Sequence, residues 1–303
     1  MTVIVTGASG GFGREMAEKL LDILPPEQII LTTRTPEKLA DLAARGAQVR
    51  HADFDKPETL AEAFRGGDRM MLISTARVGT RVQQHKNAIA AAKKAGVKHI
   101  AYTSVLGAER EDNPALVKKD HRATEIAMEE SGLAWTHLRD SQYAEAVAGN
   151  VMQAAFALGK QVNNNGGGKV SLVAREDCVD SAVAVMTTPG HENKAYELTG
   201  AEALSFEDVT AMASEMSGRK LESEIVDSET MLGIFDAMGA PRHASDVVPE
   251  GPYKWSSDDM LTFGEAIGAG IFAPVTDHVE RLTGHKPKPF RAVMEEQKPT
   301  WPV

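Results

Sequence analysis

Cysteine is nearly absent: Cys178 is the only one in 303 residues. No intrachain disulfide can form, and a multi-cysteine metal site is excluded. Aromatic residues make up only 5%, and basic charge is short, leaving a formal net charge of −10. A general nucleic-acid binder needs a basic footprint, and none is visible. No apolar run approaches the length that spans a bilayer. Met1-Thr2-Val3-Ile4-Val5 offers no basic start, apolar stretch or cleavage site of a secretory leader. These absences predict a cytoplasmic protein with no nucleic-acid or membrane partner, working on a small molecule without a metal. A monomer and a homodimer are both compatible with them. An anionic ligand must be held by local features, because the global field opposes it.

What is present is ordinary for a soluble protein, with 42% hydrophobic and 25% charged residues. The length supports a large core without staples. The first half alternates strand and helix signals. Strands are expected at Val3–Thr6, Gln28–Thr33, Val49–His51, Met70–Ser74, His99–Ser104 and Ala134–Arg139. Between them come helical patterns at Phe12–Leu24, Pro36–Arg45, Pro57–Phe64 and Arg81–Ala95, and one from Asn113-Pro114 to Ser131-Gly132. Short links between such units mean a parallel, doubly wound α/β sheet.

The second half is less regular. Helices are expected at Tyr143–Leu158, Asp177–Thr187, Phe206–Ser217 and Ser228–Met238, with short strands at Val170–Val173, Ala195–Leu198 and Ser223–Val226. Asn163-Asn164-Asn165-Gly166-Gly167-Gly168 reads as a loop, because three glycines lose too much backbone entropy in regular structure. The tail from Lys286 to Val303 carries four prolines and is expected to wrap the surface or be partly disordered. The division anticipated is residues 1–142 for the sheet domain, with later segments returning to it, and 143–303 for a smaller substrate-binding region and tail.

The sharpest motif is Val5-Thr6-Gly7-Ala8-Ser9-Gly10-Gly11-Phe12-Gly13, between the first strand and the first helix. Glycines at 7, 10 and 13 let the backbone turn tightly, approach a pyrophosphate and pack the helix on the sheet. The helix start then offers unpaired N–H groups to phosphate. This is a Rossmann-type dinucleotide cradle, and Ser9, Gly11 and Phe12 belong to its contact surface. The second strand ends Thr32-Thr33-Arg34, with Arg34 placed 21 residues after Gly13, where an acidic residue would select NAD. A guanidinium there grips a 2′-phosphate instead, so NADPH is the expected cofactor. Arg14 and Lys38 are candidate helpers. Strand ends supply further contacts: Asp53 and Phe54 toward the adenine, Ser74 and Thr75 near the pyrophosphate and ribose, Thr103 and Ser104 near the nicotinamide.

These residues, with Thr33-Arg34-Thr35-Pro36-Glu37-Lys38, Leu72-Ile73-Ser74-Thr75, Ala95-Gly96-Val97-Lys98-His99-Ile100-Ala101-Tyr102-Thr103-Ser104 and Tyr196-Glu197-Leu198-Thr199-Gly200, resemble the NmrA-like atypical short-chain dehydrogenases. The likeness is greatest to bacterial NADPH:quinone reductases and triphenylmethane reductases, and it spans roughly residues 1–285. It implies an NADPH-dependent reductase acting on a small conjugated or aromatic carbonyl compound such as a quinone. The Tyr-x-x-x-Lys pair of typical short-chain dehydrogenases is missing, and His121-Arg122-Ala123-Thr124-Glu125 stands in its place. In the related isoflavone-reductase-like enzymes a catalytic lysine aligns with His121. Glu125, one turn later, is positioned either to raise the imidazole pKa for proton donation or to form a helix-stabilising pair. Tyr143 matches a family tyrosine near the nicotinamide pocket, or anchors its helix as a buried aromatic. Arg175-Glu176-Asp177 resembles a further family motif, with helix capping expected of Asp177. His85 and His99 lack ligand-like partners, which favours core or surface roles. Two alternatives stay open: a redox sensor that binds NADP without turnover, and a ketone reductase or alcohol dehydrogenase working through His121.

Overall fold

A computed structural model describes residues 1–243 and 255–303 of the chain. The first half builds β1 (Val3–Val5), α1 (Gly11–Ile23), β2 (Ile29–Thr33), α2 (Ala40–Ala44), β3 (Gln48–His51) and α3 (Leu60–Ala63). It continues with β4 (Arg69–Leu72), α4 (Arg81–Ala95), β5 (His99–Val105), α5 (Leu116–Glu129) and β6 (Ala134–Asp140). The strands of the centre are buried throughout, as in β1, β2 and β5, with apolar runs in β1 and at the start of β2. Such runs suit a sheet covered on both faces. Helix α4 stops at Gly96, whose φ of +87° only glycine adopts without strain.

The second half gives α6 (Met152–Leu158), β7 (Lys160–Asn163), β8 (Lys169–Val170), α7 (Arg175–Thr187), β9 (Lys194–Leu198), β10 (Leu204–Ser205) and α8 (Phe206–Ser217). It ends with β11 (Glu222–Ile225), α9 (Ser228–Ala237), α10 (Ser257–Gly268), α11 (His278–Thr283) and α12 (Phe290–Gln297).

The main sheet has seven parallel strands in the order β3-β2-β1-β4-β5-β6-β9. Strand order reverses between β1 and β4, so the crevice beyond their carboxyl ends is the place for a ligand. Helices α1, α7 and α11 cover one face and α3, α4 and α5 the other, each closing an apolar core against the strands. The seventh strand and α7 both come from the second half, so the chain returns to the sheet after residue 142.

A third core joins Val147, Met152, Phe206, Ile271 and Phe272 to Val105, the last residue of β5, and to Leu106 after it. The second region therefore sits over the carboxyl end of β5. Two small sheets belong to it, an antiparallel pair of β8 with β10 and a parallel pair of β7 with β11.

Two expectations are revised, and the choice left open for the tail is decided. The helix anticipated from Tyr143 to Leu158 is interrupted by a widened, π-type turn over Ala146–Val151. Within it the Ala148 carbonyl accepts a hydrogen bond of 2.7 Å from the indole of Trp301. The tail accordingly takes the first of its two expected courses and wraps onto the second region: α12 buries Phe290, Val293 and Met294, and Trp301 is 5% exposed. Asp177 does not cap α7, which begins after Ala174; its carboxylate accepts from the Lys288 N–H at 2.8 Å and so helps hold the tail.

Candidate functional site

The loop after β1 is shaped by its glycines. Gly7 turns the chain with φ +60°, and its carbonyl accepts from the Gly10 N–H at 2.9 Å. A Cβ on Gly13 would lie 2.7 Å from that same carbonyl oxygen and 2.8 Å from the Ala8 Cα, so only glycine lets α1 seat against the loop. No side chain caps α1, and no acidic residue stands in its first turn. Those N–H groups are left for an external anion, with the positive end of the helix behind them. The cradle thus fits a dinucleotide pyrophosphate. Ser9 ties it to the end of β2 through a 2.7 Å hydrogen bond between the Ser9 and Thr33 hydroxyls.

Arg34 follows β2, is exposed, and has no hydrogen bond or ion pair among the described residues. Lys38 is exposed nearby. Arg14 departs from the expected helper role, since its guanidinium is bound to Asp41 and to Glu18 (3.1 Å). Asp53 and Phe54 follow β3, where the Asp53 carboxylate accepts from the Asp55 N–H and Phe54 is half-buried. Beyond β4, Ser74 donates its N–H to the Thr103 hydroxyl at 2.8 Å, bringing the ends of β4 and β5 together. Thr75 donates its N–H to His85 Nε2 at 3.2 Å.

The three candidate catalytic side chains are each engaged by a different partner, and no hydrogen bond links them. Ser104 donates its hydroxyl to Glu125 at 2.8 Å. Tyr143, half-buried, donates to Asp140 at 2.7 Å. Burial and the adjacent Asp140 push the Tyr143 phenol well up, so it keeps its proton. Burial also pushes Asp140 up to about 7, against the hydrogen bonds from Tyr143 and Cys178.

His121 corrects the proton-donor expectation. Glu125 does not touch it; that carboxylate binds Arg139 (2.9 Å), Arg122 (3.0 Å) and Ser104. Burial opposes the charge on Glu125, yet the Arg139 hydrogen bonds, His137 and Ser104 outweigh it and hold the pKa below the usual carboxylate value. The His121 Nε2 lies 3.1 Å from a guanidinium nitrogen of Arg81, and Nδ1 lies 2.9 Å from the Tyr102 hydroxyl. A guanidinium only donates, so Nε2 must accept and the imidazole is neutral. Burial first, then Arg81 and His85, drive its pKa well below 6.5, opposite to the rise that Glu125 would have produced.

Sequence reading missed the network around it. Asp120 accepts from the Gly79 N–H at 2.6 Å and pairs with Arg81 at 3.4 Å. His85, pushed down to about 3 by burial and Arg81, stands 2.9 Å from the Thr124 hydroxyl, which donates to the Asp120 carbonyl. These contacts clamp residues 75–79 against α4 and α5. The only hint in the sequence was an unusual number of polar residues on two helices with apolar neighbours.

Residues 7–189 match the family described as NAD(P)H-binding, more than half of the chain. The chain belongs to that family. Quinone oxidoreductase 2 of Escherichia coli is 33% identical over 88% of this chain and 93% of its own length. An NAD(P)H azoreductase of Xenophilus azovorans is 31% identical over 95% of each. Among solved structures, triphenylmethane reductase of Citrobacter sp. complexed with NADP(H) superposes with a TM-score of 0.86, at 31% identity, covering 98% of this chain and 100% of that one. The chain is thus an NAD(P)H-dependent oxidoreductase with the seven-stranded Rossmann-type sheet of these reductases.

Within this oxidoreductase, two polar features lie apart from the cradle. Glu125, Glu129 and His137 bring one potential ligand atom each within 4.8 Å of one another, but Arg122 and Arg139 already neutralise both carboxylates and oppose a cation. A cavity of about 300 Å³ in the second region is lined by Asn163, Asn165, Lys169, Ser205 and Asp208, none of them at the carboxyl end of the main sheet. No helix of the described residues is long and apolar enough to cross a membrane.

Proposed function

We propose that this oxidoreductase uses NADPH to reduce a small conjugated acceptor such as a quinone. The observation that carries the acceptor class is the state of the candidate acids: Ser104, His121 and Tyr143 are each held by an internal partner, and the neutral His121 accepts from Arg81 at Nε2 and donates to the Tyr102 oxygen from Nδ1. An acceptor that stabilises its own negative charge needs no proton from such groups. The relatives are named for quinones, azo compounds and triphenylmethane, whose conjugated systems accept hydride either by delocalising the added electron pair or, in a cationic dye, by being neutralised by it. Arg34 supports NADPH over NADH, because an unpartnered, exposed guanidinium stands where a carboxylate would repel the 2′-phosphate.

When bound, the reduced nicotinamide supplies hydride. The protein's part is placement. Gly7, Gly10 and the start of α1 hold the pyrophosphate; Ser74, Thr75 and Thr103 align the path toward the nicotinamide; the second region covers the end of β5 and limits water. The hydroquinone anion then takes its proton from solvent. Mixing purified protein with NADPH and a panel of quinones, while following the nicotinamide absorbance, tests the reading. Oxidation of NADPH with quinones and not with simple ketones is the expected result. Tight NADPH binding with no turnover of any acceptor would replace it with a redox sensor, and turnover of ketones alone would restore His121 as an acid.

A further inference from the structure

Arg175 opens α7, in the second half of the chain, yet its side chain returns to the cradle in the first. A Cβ built on Gly11, the first residue of α1, would meet the Arg175 Nη1 at 3.6 Å and Cζ at 3.8 Å. The guanidinium thus lies beside Gly11, at the uncapped start of the helix. The backbone behind it is fixed, because the Glu145 carboxylate accepts from the Arg175 N–H at 3.0 and 3.1 Å. Only Nε has a side-chain partner, Glu15, at a long 3.4 Å. Neither terminal nitrogen has a hydrogen-bond partner among the described residues, and the side chain is 42% exposed. Arg14, the other arginine near this helix start, has its guanidinium bound to Asp41 and Glu18.

We infer that Arg175 closes the cradle from the opposite side and donates its free Nη groups to the pyrophosphate of the dinucleotide. The inference rests on the reading of the cradle as the cofactor site. Phosphate is the chemistry a planar guanidinium with two unused N–H pairs grips best, and the acidic chain needs such a local cation. It also makes binding a joint act of both halves of the chain. The competing role for Arg175 is a plain tie between α7 and α1 through Glu15.

Titrating the full chain with NADPH, NADH and ADP, by calorimetry or ligand fluorescence, separates these roles. R175Q is expected to weaken all three ligands by a common factor of about 10, since all carry the diphosphate. R175K should recover much of the loss, and the salt dependence of binding should be shallower in R175Q. E15Q should leave binding unchanged or tighten it, by releasing Nε. Equal affinities for wild type and R175Q would overturn the inference, and so would an E15Q variant that copies the R175Q loss, because that is the signature of the tie. A wild-type chain that binds none of the three ligands would overturn the cofactor reading itself, and the inference with it.

Discussion

The cradle at the end of β1 and the cluster around His121 treat polar groups in opposite ways. In the cradle, the first turn of α1 has no side-chain cap and Arg34 has no partner among the described residues. In the cluster, Arg81, Asp120, His121 and Tyr102 are buried and bonded to one another, and the buried His85 is bonded to Thr75 and Thr124. Both are rich in chemistry-bearing residues, but only one has hydrogen-bonding capacity to offer. Buried polar groups left unpaired are costly, so a fold completes them unless a ligand will. The difference separates a binding site from a scaffold better than residue type does.

The comparison can be broken most sharply at Gly13. Gly13→Val places branched carbon against the Gly7 carbonyl and the Ala8 backbone, and cofactor binding should be abolished. Gly10→Val, at 3.3 Å from the same carbonyl, should act alike, whereas Gly166→Ala meets open space and should cost only about 1 kcal/mol of stability through its φ of +58°. NADPH titration with thermal melts of all three checks this; equal loss of binding at Gly166 would point to general misfolding.

On the closed side, Asp120→Ala leaves the buried Arg81 without its carboxylate and releases the Gly79 N–H. A loss of about 3–5 kcal/mol in folding stability is expected, read by urea unfolding. A loss under about 1 kcal/mol would mean that the cluster is not the clamp described.

Acid should act on the scaffold in the same direction. Burial pushes His85 down to about 3 and both His99 and His137 down to about 4, so the unfolded chain takes up these protons first. Stability is complete above the unfolded value of about 6.5 and falls as pH drops toward 4, by at most about 1.4 kcal/mol per pH unit for each histidine. Asp140, raised to about 7, has the opposite sign, since the folded state keeps a proton that the unfolded state releases down to 3.8. With His121 four buried imidazoles stand against Asp140, Asp177 and Asp259, the carboxyls that burial raises, so the urea midpoint should be lower at pH 5 than at pH 7. An equal or higher midpoint at pH 5 contradicts the neutral, buried imidazoles.

Arg34→Ala removes an open charge from the binding side. NADPH should bind about 10- to 150-fold more weakly, equivalent to about 1.5–3 kcal/mol, with NADH little changed. Unchanged NADPH affinity would show that the selector lies elsewhere. The smallest effect is expected in catalysis at His121. With a quinone, His121→Ala should lower kcat by less than about tenfold, after allowance for any loss of folded protein. A drop of about 10²–10⁴-fold, typical of a lost general acid, would return the imidazole to the reaction.

The parallel sheet and the cradle were legible because their signals are local. Six strand-and-helix units, a glycine loop at the first junction and Arg34 at the end of the second strand each lie within a few residues of what they act on. The His121–Glu125 pair shows where locality fails. Four residues apart, the two share a helical face, but Glu125 found Arg139 on β6 and Ser104 on β5, and His121 found Tyr102 and Arg81. Strand partners offered charge and donors that the neighbouring turn could not match. Whether the proline-rich tail would wrap the surface or be partly disordered was left open for the same reason, because nothing near it in sequence foretells that Trp301 reaches Ala148.

Sequence alone determined the fold class and the glycine loop after the first strand, since backbone freedom at glycine and strand periodicity act over a few residues. Only the tertiary structure decided which polar side chains are free. That outcome depends on competition among donors and acceptors brought together from distant segments, as Arg175 comes to lie beside Gly11 across the whole sheet domain.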